Sequence, residues 1–184
     1  MTSSFLETIK VELLNDPYIC IETLKGNTMA SKPETRLQEL HIQLPPAPKP
    51  VAKYKIAVQV GNMLYVSGHG PAKVHESTPL NGRVGENLTL EQGKEAAKAV
   101  AINVLATVKE TIGSLDKVKR IVKTLGWVNC TVDFKDQPKV INGFSELMAE
   151  IFGEENGVGA RSAVSAHTLP GGIPVEIECI FELL

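Results

Sequence analysis

Cysteine is scarce in this sequence, and no two cysteines are close enough in the chain to form a zinc-binding pair. The 184 residues include three, Cys20, Cys130 and Cys179, and none of them belongs to a CxxC motif. Thiolate zinc sites are built from such closely spaced pairs, so no metal site of this kind is expected. The odd number of cysteines and the lack of a secretory signal indicate a reducing compartment, and we expect a cytoplasmic protein.

Long apolar runs and an excess of positive charge are also missing. No run approaches the length of about 20 residues that a membrane-spanning helix needs, and the first residues lack the basic and apolar regions of a signal peptide. The formal net charge is −2. Broad nucleic-acid binding depends on clustered lysine and arginine, so the composition argues against both a membrane and a nucleic-acid partner.

Residues 1–46 are predicted to form an N-terminal extension with short helices, ahead of a single domain at residues 47–184. Four prolines within Leu44–Pro50 predict an extended connector between the two parts. Met29 begins a segment that itself resembles a natural N-terminus. Residues 1–28 are therefore interpreted either as a peripheral arm of the protein or as residues assigned to the gene upstream of a natural start at Met29.

Periodicity in the predicted domain gives the element order β-β-α-β-α-β-β, an α+β fold. Alternating residues around Gly61-Asn62 predict a hairpin. Apolar residues at helical spacing predict one helix between Thr89 and Gly113 and another between Asp136 and Gly153. Two helices can cover only one face of such a mixed sheet, so the other face needs water or a partner. We therefore expect a homo-oligomer closed by cyclic symmetry.

The C-terminal residues form two predicted strands, Ala160–Pro170 and Pro174–Phe181, joined by a Pro-Gly-Gly turn. If these strands pair, Arg161 would meet Glu176 or Glu178 on the uncovered face of the sheet. Alternation alone favours a solvated, ion-paired face. A substrate site is the alternative, because guanidinium matches a carboxylate and a nearby glutamate can handle a proton or a water. The spacing does not decide between these interpretations.

Several segments together resemble the RidA family, also called YjgF/YER057c/UK114; they are Val60–Gly68, Ala160–Val164, Leu169–Pro170 and Val175–Glu178. The resemblance covers about residues 47–184. It implies a chorismate-mutase-like fold, with one mixed sheet, two helices packed on one face, and a homotrimer with clefts between subunits. A longer loop after the second strand, containing Gly82–Gly85, marks a divergent branch of the family.

Active members of that family hydrolyse enamine and imine intermediates, such as 2-iminobutanoate and 2-iminopropanoate, to the 2-oxo acid and ammonia without a metal or organic cofactor. The resemblance places Arg161 on the arginine that clamps the substrate carboxylate. It places Glu176 on the glutamate that orients or activates water. Further positions that line the family's cleft correspond to Tyr54, Ser67, Gly68, Asn142 and Ala163. The backbone carbonyl of Ala163, where deaminases often have cysteine, is expected to hold water.

Three functions remain open at this point. The first is an imine deaminase acting on a small carboxylate-bearing substrate. The second is a trimer that binds small carboxylates, or regulates, without turnover; Ala163, the long loop, and His69 in place of the family's common glutamine favour it. The third and weakest is an endoribonuclease. The net charge and the absence of a paired histidine site argue against it. His69 and His167 are each predicted to be structural.

Overall fold

A mixed sheet of five strands is the centre of the fold. The computed structural model describes residues 32–184. The strands lie in the spatial order β1-β2-β5-β3-β4. Only β3 and β4 run parallel, and the other neighbours are antiparallel. The strand bounds are β1 Ala57–Val60, β2 Met63–His69, β3 Val118–Asn129, β4 Ala160–Ala166 and β5 Val175–Leu183.

Two long helices cover one face of this sheet, as the sequence predicts. The helices of the described residues are α1 Pro33–Glu39, α2 Leu90–Ile112, α3 Gln137–Phe152 and the single turn α4 Glu154–Gly157. A capping box of Thr89 and Gln92 starts α2, and Gly113 ends it in the left-handed conformation with φ 84°. The hairpin at Gly61-Asn62 is also confirmed. The helix predicted within residues 1–28 lies outside the described residues.

The core fills the space between the sheet and the two long helices. The helices approach each other closely at Gly143 of α3, where a Cβ atom would overlap the carbonyl oxygen of Lys94 in α2. Burial of each large side chain stabilises the fold by about 1.5–3 kcal/mol. The largest fully buried side chains include Phe144, Phe181, Leu64, Leu105, Leu115 and Ile141. Within residues 32–184 no helix has the length and apolar character needed to cross a membrane.

The last two strands do not pair with each other, because β3 lies between β4 and β5. Arg161 of β4 and Cys179 of β5 are both register partners of Thr124. Arg161 therefore shares the helix-covered face with buried Cys179, and the prediction that it lies on the uncovered face is wrong. Alternation divides a strand into two sets of side chains, but only the pairing of the strand decides which set meets the helices.

The face without helices, here called the open face, carries a patch of apolar side chains. Val58, Tyr65 and Val164 in this patch are 41%, 45% and 42% exposed. Val58 and Tyr65 are register partners, and Ile180 continues the same row on β5. Exposed apolar side chains on one face of a sheet offer surface for a protein contact.

Helix α1 is fixed to the core through Leu37 and Glu34. Leu37 is buried among the core side chains. The Glu34 carboxylate accepts hydrogen bonds from Lys109 Nζ at 2.6 Å and from the Leu115 N–H at 3.0 Å. Burial raises the pKa of Glu34, but these hydrogen bonds and the Lys109 charge outweigh it and hold the pKa below its ordinary value. The domain boundary at residue 47 stays a prediction.

Replacement of Glu34 by glutamine is expected to lower the free energy of unfolding by roughly 1 kcal/mol at pH 7, since hydrogen bonds to a partly exposed charge are lost. The folded-state pKa of Glu34 lies below the unfolded one, so its stabilisation is present above the unfolded pKa and is lost as the pH falls through the folded pKa. The difference between Glu34→Gln and the parent should therefore shrink below the ordinary value of 4.5. Urea denaturation of the full chain across this pH range measures it.

Glu110→Gln is the matched control, because Glu110 is an exposed glutamate next to Lys109 on the same helix. It should change the stability little at any pH. If Glu34→Gln lowers the free energy of unfolding by the same amount at pH 7 and at acid pH, the stabilising role assigned to the Glu34 carboxylate is contradicted.

Candidate functional site

Glu176 places a half-buried carboxylate on the open face beside the end of β2. Its register partner on β3 is Trp127. The carboxylate lies directly over Gly68, where a Cβ atom would overlap Glu176 Oε1. Glycine at position 68 is thus what leaves room for the carboxylate. Among residues 32–184, no group donates a hydrogen bond to it.

Burial raises the pKa of Glu176, and the negative charge of Glu178 on the same face raises it further. An unpaired carboxylate in such surroundings is costly to keep ionised, which is why its pKa rises. The shift moves its titration towards neutral pH. A carboxyl group of this kind is suited to exchange a proton with a bound water or substrate.

A β-bulge at the end of β2 shapes the backbone next to Glu176. Val66 is the register partner of Cys179, and His69 is the register partner of Ile177. The β2 segment between these two pairs is therefore one residue longer than the β5 segment opposite it. The bulge leaves Gly68 without a register partner in either neighbouring strand of the described sheet. Glu176, Gly68 and the bulge thus form one structural unit.

The irregular segment before β1 is tied to this unit through Ser67. The Ser67 hydroxyl donates to the Lys55 carbonyl at 2.8 Å, and the Ser67 N–H donates to the Ile56 carbonyl at 3.0 Å. Tyr54, which is 42% exposed, immediately precedes Lys55. We call Ser67, Gly68 and Glu176 the glutamate half-site, to which the predicted Tyr54 is connected through Lys55.

Arg161 forms a second polar group on the other side of the sheet. Its Nη1 donates to Asn142 Oδ1 at 2.9 Å and to Ser145 Oγ at 3.0 Å. These acceptors lie three residues apart on α3, and therefore on one side of the helix. Both hydrogens of Nη1 are used, which leaves Nε–H and Nη2–H as a parallel pair of donors for a carboxylate. No carboxylate of residues 32–184 forms an ion pair with Arg161.

Ala163 lies two residues beyond Arg161 on the same face of β4. It is the register partner of Gly126 and packs against the core. Its methyl side chain offers no polar group, so any chemical role at this position belongs to the backbone. We call Arg161, Asn142, Ser145 and Ala163 the arginine half-site.

The two half-sites lie on opposite faces of one sheet, so a small molecule bound at one cannot reach the other within the same chain. Arg161 is opposite Thr124 on the helix-covered face, whereas Glu176 is opposite Trp127 on the open face. The predicted residues are therefore brought together as two groups rather than one. Among residues 32–184 no group of three or more His, Cys, Asp or Glu side chains is placed to hold a metal ion.

Comparison with known protein families identifies the family of this chain. The family described as "YjgF/chorismate mutase-like, putative endoribonuclease" matches residues 34–183. The chain belongs to the RidA (YjgF) family. This membership and the fold confirm what the sequence motifs indicate.

Several known proteins resemble this chain over most of their length. The present chain is 41% identical over 147 residues to Protein TCP17 of Trypanosoma cruzi, and this match covers 80% of this chain and 91% of that protein. It is also 34% identical over 139 residues to a 2-iminobutanoate/2-iminopropanoate deaminase of Dermatophagoides farinae, and this match covers 76% of this chain and 92% of that protein. The crystal structure of Atu1372, a protein of unknown function from Agrobacterium tumefaciens, is 38% identical with a TM-score of 0.73 and covers 83% of this chain and 92% of that chain.

Sequence reasoning missed Ser145 and Trp127. The three-residue spacing from Asn142 to Ser145 is a usable signal, because residues at this spacing share a helix face. Trp127 carries no comparable signal in the sequence. Its position beside Glu176 depends on the register between β3 and β5, which the sequence alone does not give.

Glu178→Gln is expected to lower the pKa of Glu176, because the neighbouring negative charge that disfavours ionisation is removed. Carbon-13 NMR titration of the Glu176 carboxyl group measures this directly. Glu182→Gln is the control on the same strand and face: Glu182 is paired with Lys119 at 2.8 Å and should leave the Glu176 titration unchanged. A Glu176 pKa that stays constant or rises in Glu178→Gln would contradict the electrostatic assignment.

Proposed function

We propose that this protein hydrolyses reactive 2-imino acids, and their enamine forms, to 2-oxo acids and ammonia. The observation that carries the proposal is the Glu176 carboxylate, which lies half-buried over Gly68, with a raised pKa and no donor among the described residues. Family membership and the name of the mite relative, a 2-iminobutanoate/2-iminopropanoate deaminase, support the same chemistry.

In this proposal Arg161 binds the carboxylate of the substrate. Asn142 and Ser145 hold Nη1, so the donors on Nε and Nη2 are fixed before the substrate arrives. A planar pair of donors orients a carboxylate as well as attracting it. Orientation matters because it sets the position of the imine carbon relative to the attacking water.

Glu176 acts on the water. The imine carbon is already electrophilic, so the reaction needs a positioned water and a place for a proton. Glu176 accepts a proton from the water as its oxygen attacks the carbon, and passes this proton to the nitrogen, which forms a neutral carbinolamine. Glu176 then takes the proton of the new hydroxyl group and passes it to the same nitrogen, so that the C–N bond breaks and ammonia leaves as the C=O bond of the 2-oxo acid forms. The raised pKa of Glu176 suits both proton transfers.

Assembly into a homotrimer completes the site. Because the half-sites lie on opposite faces of one sheet, Arg161 of one copy and Glu176 of another must meet in a cleft between copies. The open face, on which the apolar side chains of Val58, Tyr65 and Val164 are exposed, offers a surface for such an assembly. The resemblance to the RidA family implies cyclic threefold symmetry, in which each interface forms the same cleft.

RNA cleavage is the weaker alternative, although the family description includes it. Catalysis by a histidine pair needs two imidazoles within reach of one phosphate. His69 is buried with both ring nitrogens bonded, and His167 is exposed after β4. The net charge of −2 adds no general attraction to a phosphate backbone.

Arg161→Ala is expected to lower kcat/KM for 2-iminobutanoate by about 100-fold, because a charge-assisted pair of hydrogen bonds to the substrate is lost. Glu176→Gln is expected to lower kcat by about 100-fold or more, since it removes the proton acceptor. The imine is generated in the assay and its conversion to 2-oxobutanoate and ammonia is followed with the full chain. Arg36→Ala is the matched arginine control: its partly exposed side chain on α1 pairs with Glu39 and belongs to neither half-site, so this variant should be fully active.

Full activity of Arg161→Ala would refute the proposed site. Absence of activity in the parent on several imino acids would instead favour a carboxylate-binding trimer, which the lack of a polar side chain at Ala163 permits. In that case a 2-oxo acid should raise the melting temperature of the parent but not of Arg161→Ala.

Mixed assemblies test whether the cleft is shared. Arg161→Ala and Glu176→Gln are each expected to be nearly inactive alone. After subunits of the two variants are exchanged at equal amounts, about a quarter of the clefts should contain both an intact Arg161 and an intact Glu176, so about a quarter of the parent activity should return. No recovery, with exchange verified by mass spectrometry, would show that the two residues do not meet across an interface.

A further inference from the structure

A buried polar pair, His69 and Thr107, lies behind the glutamate half-site and takes no part in the reaction proposed above. His69 is 3% exposed at the end of β2, and Thr107 of α2 is fully buried. His69 Nδ1 is 2.6 Å from the Ser67 carbonyl oxygen, and Nε2 is 2.8 Å from Thr107 Oγ1. The β2 bulge turns the imidazole inward, to the helices, while it leaves Gly68 beside Glu176 on the open face.

These two contacts determine which nitrogen carries the hydrogen. A carbonyl oxygen can only accept, so Nδ1 must donate to Ser67. In the neutral ring Nε2 then has a free lone pair, and the Thr107 hydroxyl donates to it. Burial lowers the pKa of His69, which favours the neutral ring, although the bond to Ser67 acts in the opposite direction.

The bond from His69 also fixes the direction of a backbone N–H. The Ser67 carbonyl and the Gly68 N–H belong to one trans peptide, in which the C=O and N–H bonds point in opposite directions. When His69 holds the carbonyl towards the core, the Gly68 N–H points away from the imidazole, to the side where Glu176 lies. Gly68 has no register partner to hold it, and glycine permits a flipped peptide at low cost. The orientation therefore depends on His69.

We propose that His69 is a positioning residue: it holds the Ser67–Gly68 peptide so that the Gly68 N–H donates to an oxygen of the acid bound beside Glu176. Thr107 in turn holds the imidazole in the required tautomer. The identity of the bound acid rests on the proposed function, whereas the orientation of the peptide does not. His69 itself touches neither the substrate nor the water.

Two NMR measurements on the full chain, enriched in nitrogen-15, test the orientation without catalysis. The ring nitrogens of His69 should show the Nδ1–H tautomer. The amide signal of Gly68 should shift in His69→Leu, which removes the donor, and return close to its parent position in His69→Asn, whose side-chain N–H falls near the place of Nδ1. An Nε2–H tautomer in the parent, or a Gly68 signal that is unchanged in His69→Leu, would overturn the proposal.

Thr107→Val keeps the shape of the side chain and provides a test if His69→Leu does not fold. It removes the hydroxyl that donates to Nε2, so part of the His69 rings should change to the Nε2–H tautomer, with a matching change in the Gly68 signal. Thr111→Val is the matched control: it removes a hydroxyl one turn further along α2 that bonds only to the Thr107 carbonyl. Equal spectra for the two threonine variants would contradict the assigned role.

Binding of 2-oxobutanoate tests the ligand side of the proposal. Loss of one hydrogen bond to an anion should weaken its affinity about tenfold in His69→Leu, and His69→Asn should recover most of it. Equal affinity in His69→Leu and the parent overturns the role of the Gly68 N–H. If the parent neither binds the acid nor hydrolyses an imine, the proposed function fails, and the tautomer and the Gly68 signal still decide whether His69 orients the peptide.

Discussion

The parallel pairing of β4 with β3 is the constraint on which the rest of the site depends. It places β4 at the edge of the sheet and sets Arg161 opposite Thr124, on the face that the helices cover. A parallel connection needs a crossover, and α3 supplies it between these strands. The same helix provides Asn142 and Ser145 as acceptors for Nη1. One topological choice thus positions the arginine, orients it, and separates it from Glu176.

On the open face, the chain holds a carboxylate in surroundings that disfavour its charge. Nothing among the described residues compensates Glu176 with a hydrogen bond, and Glu178 adds repulsion. A residue chosen for stability alone would not be expected here, since an unpaired half-buried carboxylate is destabilising. The arrangement is consistent with a site that the substrate, its water and a second copy complete. The bulge, Gly68 and His69 provide the rigid support that such a site needs.

Much of the fold follows from the sequence, because local signals are strong where they act alone. The capping box at Thr89, Gly113 at the other end and the turn at Gly61-Asn62 fix two helix ends and a hairpin. The placement of β4 does not follow, since residues at alternate positions fit either an antiparallel partner or a parallel one. Register likewise decides that Trp127 is beside Glu176. The resemblance to a family predicts which residues form the site, whereas their division into two half-sites requires the structure.

The central claim is that one cleft contains Arg161 of one copy and Glu176 of another, with a 2-oxo acid between them. A crystal structure of the full chain with 2-oxobutanoate tests this most directly. The account predicts a carboxylate bound by Nε and Nη2 of Arg161, and a ketone carbon facing the Glu176 carboxylate of a second copy. A ligand that contacts Arg161 with no Glu176 near its carbonyl carbon, or an assembly in which the two residues lie in separate clefts, would contradict it.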